Sequence, residues 1–193
     1  MKSFINSLKL YTFAVMMAFL VTLTVTGGLS GQEKPELRVV PAVDLSRYAG
    51  KWYEIARLPN RFQADCTGDI TATYSLLDDG EIKVVNQCRK NNGEVSVAEG
   101  RARRASGDEP NTKLKVRFAP AFLSFLPFVW GNYWIIDLAP DYSYAVVGEP
   151  NREYLWVLAR TPALADSTLQ GILGRVKQQG YDLTALVYTK QSP

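Results

Sequence analysis

Gly50-Lys51-Trp52-Tyr53-Glu54-Ile55-Ala56-Arg57-Leu58 alternates as a β-strand does, with Trp52, Glu54, Ala56 and Leu58 on one face and Tyr53, Ile55 and Arg57 on the other. A glutamate that shares a face with a tryptophan does not suit a strand laid over a solid core. It suits a strand whose inner face lines a cavity. Just before it, residues 44–49 read as a short helical turn capped by Asp44, and Gly50 as a tight entry into the strand.

The same period recurs downstream. Residues 69–77 place Ile70, Ala72, Tyr74 and Leu76 on one face; Asp78-Asp79-Gly80 is a hairpin signal; residues 81–90 return with Ile82, Val84, Asn86 and Cys88 aligned. Asn91-Asn92-Gly93 turns the chain into residues 94–104. Residues 113–118 then put Leu114, Val116 and Phe118 on one side and Lys113, Lys115 and Arg117 on the other. Further strands are expected near 132–138, 142–148 and 153–160. Eight short antiparallel strands in meander order predict an all-β, up-and-down barrel, a closed sheet without edges and with room for one small ligand. Leu169, Ile172, Leu173 and Val176 recur at helical spacing, with Asp166 as candidate cap and Gly180 as stop. Gly171 and Gly174 weaken that helix, so packing against the outside of the barrel must hold it. Residues 186–189 read as a last short strand beside the first.

The Gly50–Leu58 run, with Pro59 after it, resembles the first signature of the lipocalins, and is similar in particular to the bacterial lipocalin and apolipoprotein D branch. The resemblance continues through Thr71-Ala72-Thr73-Tyr74-Ser75-Leu76, Tyr133-Trp134-Ile135-Ile136 and Leu155-Trp156-Val157-Leu158-Ala159-Arg160-Thr161-Pro162, covering roughly residues 40–190. It implies a calyx-shaped barrel that binds a small apolar or amphiphilic ligand. It also implies that Gly50, Trp52 and Arg160 are structural, the Arg160 guanidinium lying over the Trp52 indole at the narrow end.

Residues 1–30 read as a secretory signal: Lys2 and Lys9, an apolar run over 10–25, then small residues for cleavage near Gly28 or Ser30. The alternative is an uncleaved anchor. Residues 31–42 read as an extended lead-in and 43–193 as the barrel domain. Many bacterial relatives are lipoproteins, but lipidation needs a leader cysteine, and the two cysteines are Cys66 and Cys88. In an exported chain these favour a disulfide, and the expected place is the periplasm or the outer membrane. Of 22 basic residues two lie in the leader, leaving 20 against 19 acidic, which gives no electrostatic case for nucleic acid. The chain has no histidine, so the commonest general base and metal ligand are missing. No cofactor and no metal are expected.

Parity and resemblance together nominate Glu54, Tyr74, Asn86, Lys90, Phe118, Tyr133 and Trp156 as inward-facing, with Phe62 at the open end. Lys90 or Arg152 near the rim would meet a phosphate or carboxylate head. No second acid, base or nucleophile is placed beside Glu54, which argues for a barrel-fixing role or a ligand contact over catalysis. Phe122-Leu123-Ser124-Phe125-Leu126-Pro127-Phe128-Val129-Trp130 is too irregular for a strand. Its aromatics, Phe122, Phe125, Phe128 and Trp130, form a lid, an exposed patch that touches a membrane surface, or a dimer contact. The expected function is lipid binding for transport, storage or envelope maintenance, with a fatty acid or lysophospholipid as the leading ligand class. A lipid-modifying enzyme and a protein-interaction module using residues 122–130 are the competing classes.

Overall fold

The computed structural model describes residues 35–192; the leader expected over residues 1–30 lies outside them. A one-turn helix, α1 (Leu45–Tyr48), is capped by the Asp44 carboxylate, which accepts from the Ser46 and Arg47 amides. Eight strands follow: β1 (Gly50–Arg57), β2 (Cys66–Leu76), β3 (Ile82–Lys90), β4 (Val95–Arg104), β5 (Lys113–Arg117), β6 (Gly131–Leu138), β7 (Tyr144–Gly148) and β8 (Leu155–Ala159). Each pairs antiparallel with the next, and β1 pairs with both β2 and β8. The sheet is therefore a closed eight-stranded meander, as the alternation predicts.

Helix α2 (Asp166–Gln178) lies on the outer wall, where Leu169, Ile172, Leu173 and Val176 join Ile55, Ile136, Val146, Leu155 and Val157 in one buried cluster. Burial of each of these aliphatic side chains contributes about 2 kcal/mol, which offsets the intrinsic weakness that two glycines give the helix. Asp166 is the first helical residue and Ala165 occupies the cap, so the aspartate acts on the helix dipole without capping it by hydrogen bond. From the lead-in, Leu37 is buried in this cluster. A second cluster fills the lower barrel: Trp52, Ala72, Tyr74, Ile82, Val84, Ala102, Leu114, Ile135 and Leu158.

Two features depart from simple alternation. The β1–β8 register jumps between Glu54 and Ala56, a bulge of one residue at Ile55. Beyond it the faces reverse. Ala56 and Leu58, expected inside with Trp52, lie under α2, while Arg57, expected outside, turns in beside Glu54. Second, β1 and β2 pair only over Gly50–Tyr53 and then part. The C-terminal segment fills the gap. Here β9 (Val187–Tyr188) pairs with Ala56 and Arg57, Asp69 N donates to Lys190 O at 2.8 Å, and the Gln191 amide donates to both Glu54 O and Ile70 O.

Candidate ligand-binding site

The meander puts α1 and the 77–81, 105–112 and 139–143 connections at one end of the barrel, and the 58–65, 91–94, 118–130 and 149–154 connections at the other. The first end is sealed. The Trp52 indole is fully buried and donates to Tyr48 O at 2.8 Å. The Arg160 guanidinium lies 3.7 Å from its ring centroid and donates to Lys51 O, Arg47 O and Tyr48 O. Gly50, at φ +94°, leaves the backbone low enough for that guanidinium to pass; an added Cβ would stand 3.3 Å from its Nη1.

Above this plug lies a tyrosine ladder. Tyr133 Oη donates to Tyr74 Oη at 2.8 Å and shares a 2.7 Å bond with Tyr48 Oη. Burial pushes the Tyr74 phenol up to about 12. Burial, with the neighbouring phenols adding to it, raises Tyr133 well above its ordinary value, and burial likewise raises Tyr48. The space left among Tyr48, Tyr74, Tyr133 and the surrounding aliphatics is about 10 Å³, room for no more than one water. Tyr74 and Tyr133, nominated as ligand contacts, thus form the floor.

The upper half differs. Register carries one inner row from Trp52 through Ala72 and Asn86 to Ala98, and the next from Tyr74 through Val84 to Gly100. Phe118 completes that second row. Its ring lies over Gly100, where an added Cβ would meet it at 2.7 Å. Inward-facing Ala98 is exposed, and Phe118 is 43% exposed, so solvent reaches the inner wall at this level. Asn86 Oδ1 is buried there with no hydrogen-bond partner among the described residues. Trp156 faces in from β8, stacked on Tyr154 at 5.9 Å.

A polar cluster braces this upper wall. Glu54, 2% exposed, accepts from Arg57 Nη1 at 3.0 Å, from Gln63 Nε2 at 2.6 Å and from the Thr189 hydroxyl. Gln63 Oε1 in turn accepts from Trp156 Nε1 at 2.8 Å. Both Glu54 oxygens are engaged by the protein itself, so this nominated contact braces the wall that a ligand would touch. Arg57 Nε, buried in the same cluster, has no acceptor among the described residues. Gln63 was not legible as a site residue, although Asn60 carries the signal for its placement: its side chain accepts from the Phe62 and Gln63 amides and starts the one-turn 3₁₀ helix Arg61–Gln63.

At the rim, Lys90 is partly exposed, with Glu94 at 4.0 Å, and Phe62 is exposed beside Tyr154. Arg152 is not available to a head group. Its guanidinium donates to the carbonyls of Gln179, Pro150 and Pro35 and ties the lead-in to the end of α2. Cys66 and Cys88 form a disulfide, which pins the first residue of β2 to β3. Residues 118–130 fold into two 3₁₀ turns, Ala121–Leu123 and Pro127–Val129. Phe122, Phe125 and Phe128 are 74%, 76% and 80% exposed, so none packs as a plug over the mouth. Trp130 turns instead onto the outer wall.

The family of lipocalin-like domains matches residues 43–191. The chain is a lipocalin. It is 42% identical to temperature-induced lipocalin-1 of Arabidopsis thaliana over 161 residues, 83% of this chain and 86% of that one. It is 39% identical to the outer membrane lipoprotein Blc of Citrobacter freundii over 180 residues, covering 92% and 94%. With apolipoprotein D of Rattus norvegicus it shares 36% over 171 residues, covering 81% and 84%. Among solved structures, insecticyanin of the tobacco hornworm Manduca sexta superposes with a TM-score of 0.59 at 23% identity, over 82% of this chain and 86% of that one, a likeness of fold. Lipocalins as a family bind small hydrophobic ligands.

Proposed function

We propose that this lipocalin takes up a fatty acid or lysophospholipid through its open end and carries or stores it in the bacterial envelope. One observation carries the reading. The lower barrel is packed solid by Trp52 and three tyrosines, while the inward-facing Phe118 and Ala98 above them stay open to solvent. That is a cup with an apolar wall, and an acyl chain laid against Phe118 and Trp156 removes that wall from water at about 25 cal/mol per Å², less the costs of ordering. Asn86 Oδ1, on the inner row with Ala98 and without a partner among the described residues, supplies one of the few polar groups such a pocket uses, and Lys90 at the rim meets an anionic head.

Binding without catalysis fits the chemistry present. The buried carboxylate of Glu54 is saturated by three donors, and both cysteines are tied in the disulfide. Export through a leader at residues 1–30 agrees with that disulfide and with the envelope location named for the Blc relative. The exposed Phe122, Phe125 and Phe128, on a connection at the open end, would suit touching a membrane surface and shortening a lipid's path through water. Replacing Phe125 and Phe128 by serine should weaken vesicle binding. Unchanged binding together with a lower sedimentation mass would assign the patch to a homodimer.

The deciding experiment is native mass spectrometry of protein purified from its own envelope, followed by lipid extraction. A bound mass released as a fatty acid or lysolipid supports the reading. An empty protein whose Trp156 fluorescence ignores added lipids overturns it.

A further inference from the structure

A second cavity lies on the outside of the barrel. The outward-facing Lys83, Arg101 and Arg117 are successive partners across β3, β4 and β5, so their side chains form one row. With Glu99 they line a cleft of about 300 Å³, walled on one side by Ala119 and Ala121, from the loop that carries the exposed phenylalanines.

The charges in this row are unequally matched. Lys83 pairs with Glu99 at 3.0 Å, and Arg101 with Asp79 at 2.7 Å and Glu81 at 3.1 Å. Arg117 is 7% exposed. It donates one Nη to Ala119 O, its buried Nε has no acceptor, and among the described residues it pairs with no carboxylate. Among the described residues Arg103 also pairs with no carboxylate, and its guanidinium lies 4.2 Å from the ring centroid of Trp130, with that of Arg117 at 5.2 Å on the same indole. A buried guanidinium with an unmet donor and no counter-charge favours an anion. A phosphate offers paired oxygens that match the guanidinium fork. The next residue along the wall, Phe122, is an exposed aromatic suited to the acyl boundary beside such a phosphate.

We propose that this outer cleft holds the phosphate of an anionic phospholipid in a bilayer, with Arg117 as its cationic contact in the cleft and Arg103, held on the same Trp130 indole, adding to the local positive charge, and so docks the lipocalin through the phenylalanine loop. The proposal rests on the membrane-contact reading of the phenylalanine loop and adds a lipid preference to it.

Co-sedimentation with phosphatidylglycerol and phosphatidylcholine vesicles tests it. Wild-type protein should partition at least about tenfold better onto phosphatidylglycerol, and R103Q and R117Q should each lose about fivefold of that preference. Arg103 is exposed, so R103Q keeps the test intact if R117Q disturbs folding. K177Q, on the exposed face of α2 and with the same change in net charge, should keep the preference. Equal partition of wild type onto both lipids overturns the cleft and leaves the loop reading standing; binding to neither overturns both. Preference retained in both arginine variants, or lost equally in K177Q, also overturns the cleft. Binding of glycerol 3-phosphate to vesicle-free protein as tightly as vesicles are bound would reassign it to a soluble phosphate.

Discussion

The cluster around Glu54 makes an asymmetric prediction. Glu54→Met strands the Arg57 guanidinium, whose Nε already lacks an acceptor and whose other contact among the described residues is a long 3.4 Å bond to Thr189. Leaving a buried charge uncompensated costs about 3–5 kcal/mol. For a chain of this size that corresponds to roughly 6–20 °C in Tm. Arg57→Met is milder. The carboxylate keeps the Gln63 amide and the Thr189 hydroxyl, so the loss is that of one charged hydrogen bond, about 1.5–3 kcal/mol. Replacing both residues by methionine removes both charges at once and should be less damaging than Glu54→Met alone, a coupling of at least about 2 kcal/mol. Urea unfolding followed by tryptophan fluorescence, with the disulfide intact, measures all four corners of the cycle. Additive losses, or an Arg57→Met protein weaker than Glu54→Met, would refute the view that Gln63 and Thr189 satisfy the carboxylate while little else satisfies the arginine.

The tyrosine ladder predicts loss of stability at alkaline pH. The folded phenols ionise above the ordinary value near 10, Tyr74 at about 12, so the unfolded chain gives up its protons first and stability is full below pH 10. Between pH 10 and about 12 the urea midpoint should fall, at up to about 1.4 kcal/mol per pH unit for each tyrosine, and Tyr133→Phe should make the fall shallower. Replacing Cys66 and Cys88 together by alanine releases a crosslink spanning 22 residues, for an expected loss of about 3 kcal/mol on thermal unfolding with the far-ultraviolet spectrum unchanged. Gly100→Val places a side chain where the Phe118 ring and Arg117 O already stand, at 2.7 and 2.6 Å. The ring must swing into the cup, so titration with a fluorescent fatty acid should show binding at least about tenfold weaker, alongside about 1–3 kcal/mol of lost stability.

Much of this architecture is legible without coordinates, because it depends on local period. Alternation over 69–77, 81–90 and 113–118, the Asp79-Gly80 and Asn92-Gly93 turns and the helical spacing of Leu169, Ile172, Leu173 and Val176 specify the strands, their order and the helix face that must be covered. The pairing of Trp52 with Arg160 follows from family resemblance, and the disulfide from two cysteines in a chain whose first residues read as an export signal. What only the tertiary structure decided are matters of register and reach. One extra residue at Ile55 reverses every side chain beyond it, so Arg57 enters the barrel though its sequence position assigns it outside. Gln63 and Thr189 meet Glu54 from segments 9 and 135 residues away, and Arg152 spends its guanidinium on backbone carbonyls of three separate segments. Inward-facing residues occur at every level of the barrel, yet around Tyr48, Tyr74 and Tyr133 they pack into a floor while Ala98 and Phe118 above them stay exposed. The physical reason is that periodicity sets which way a side chain points, whereas occupancy of the interior depends on how the large side chains of several strands share one volume.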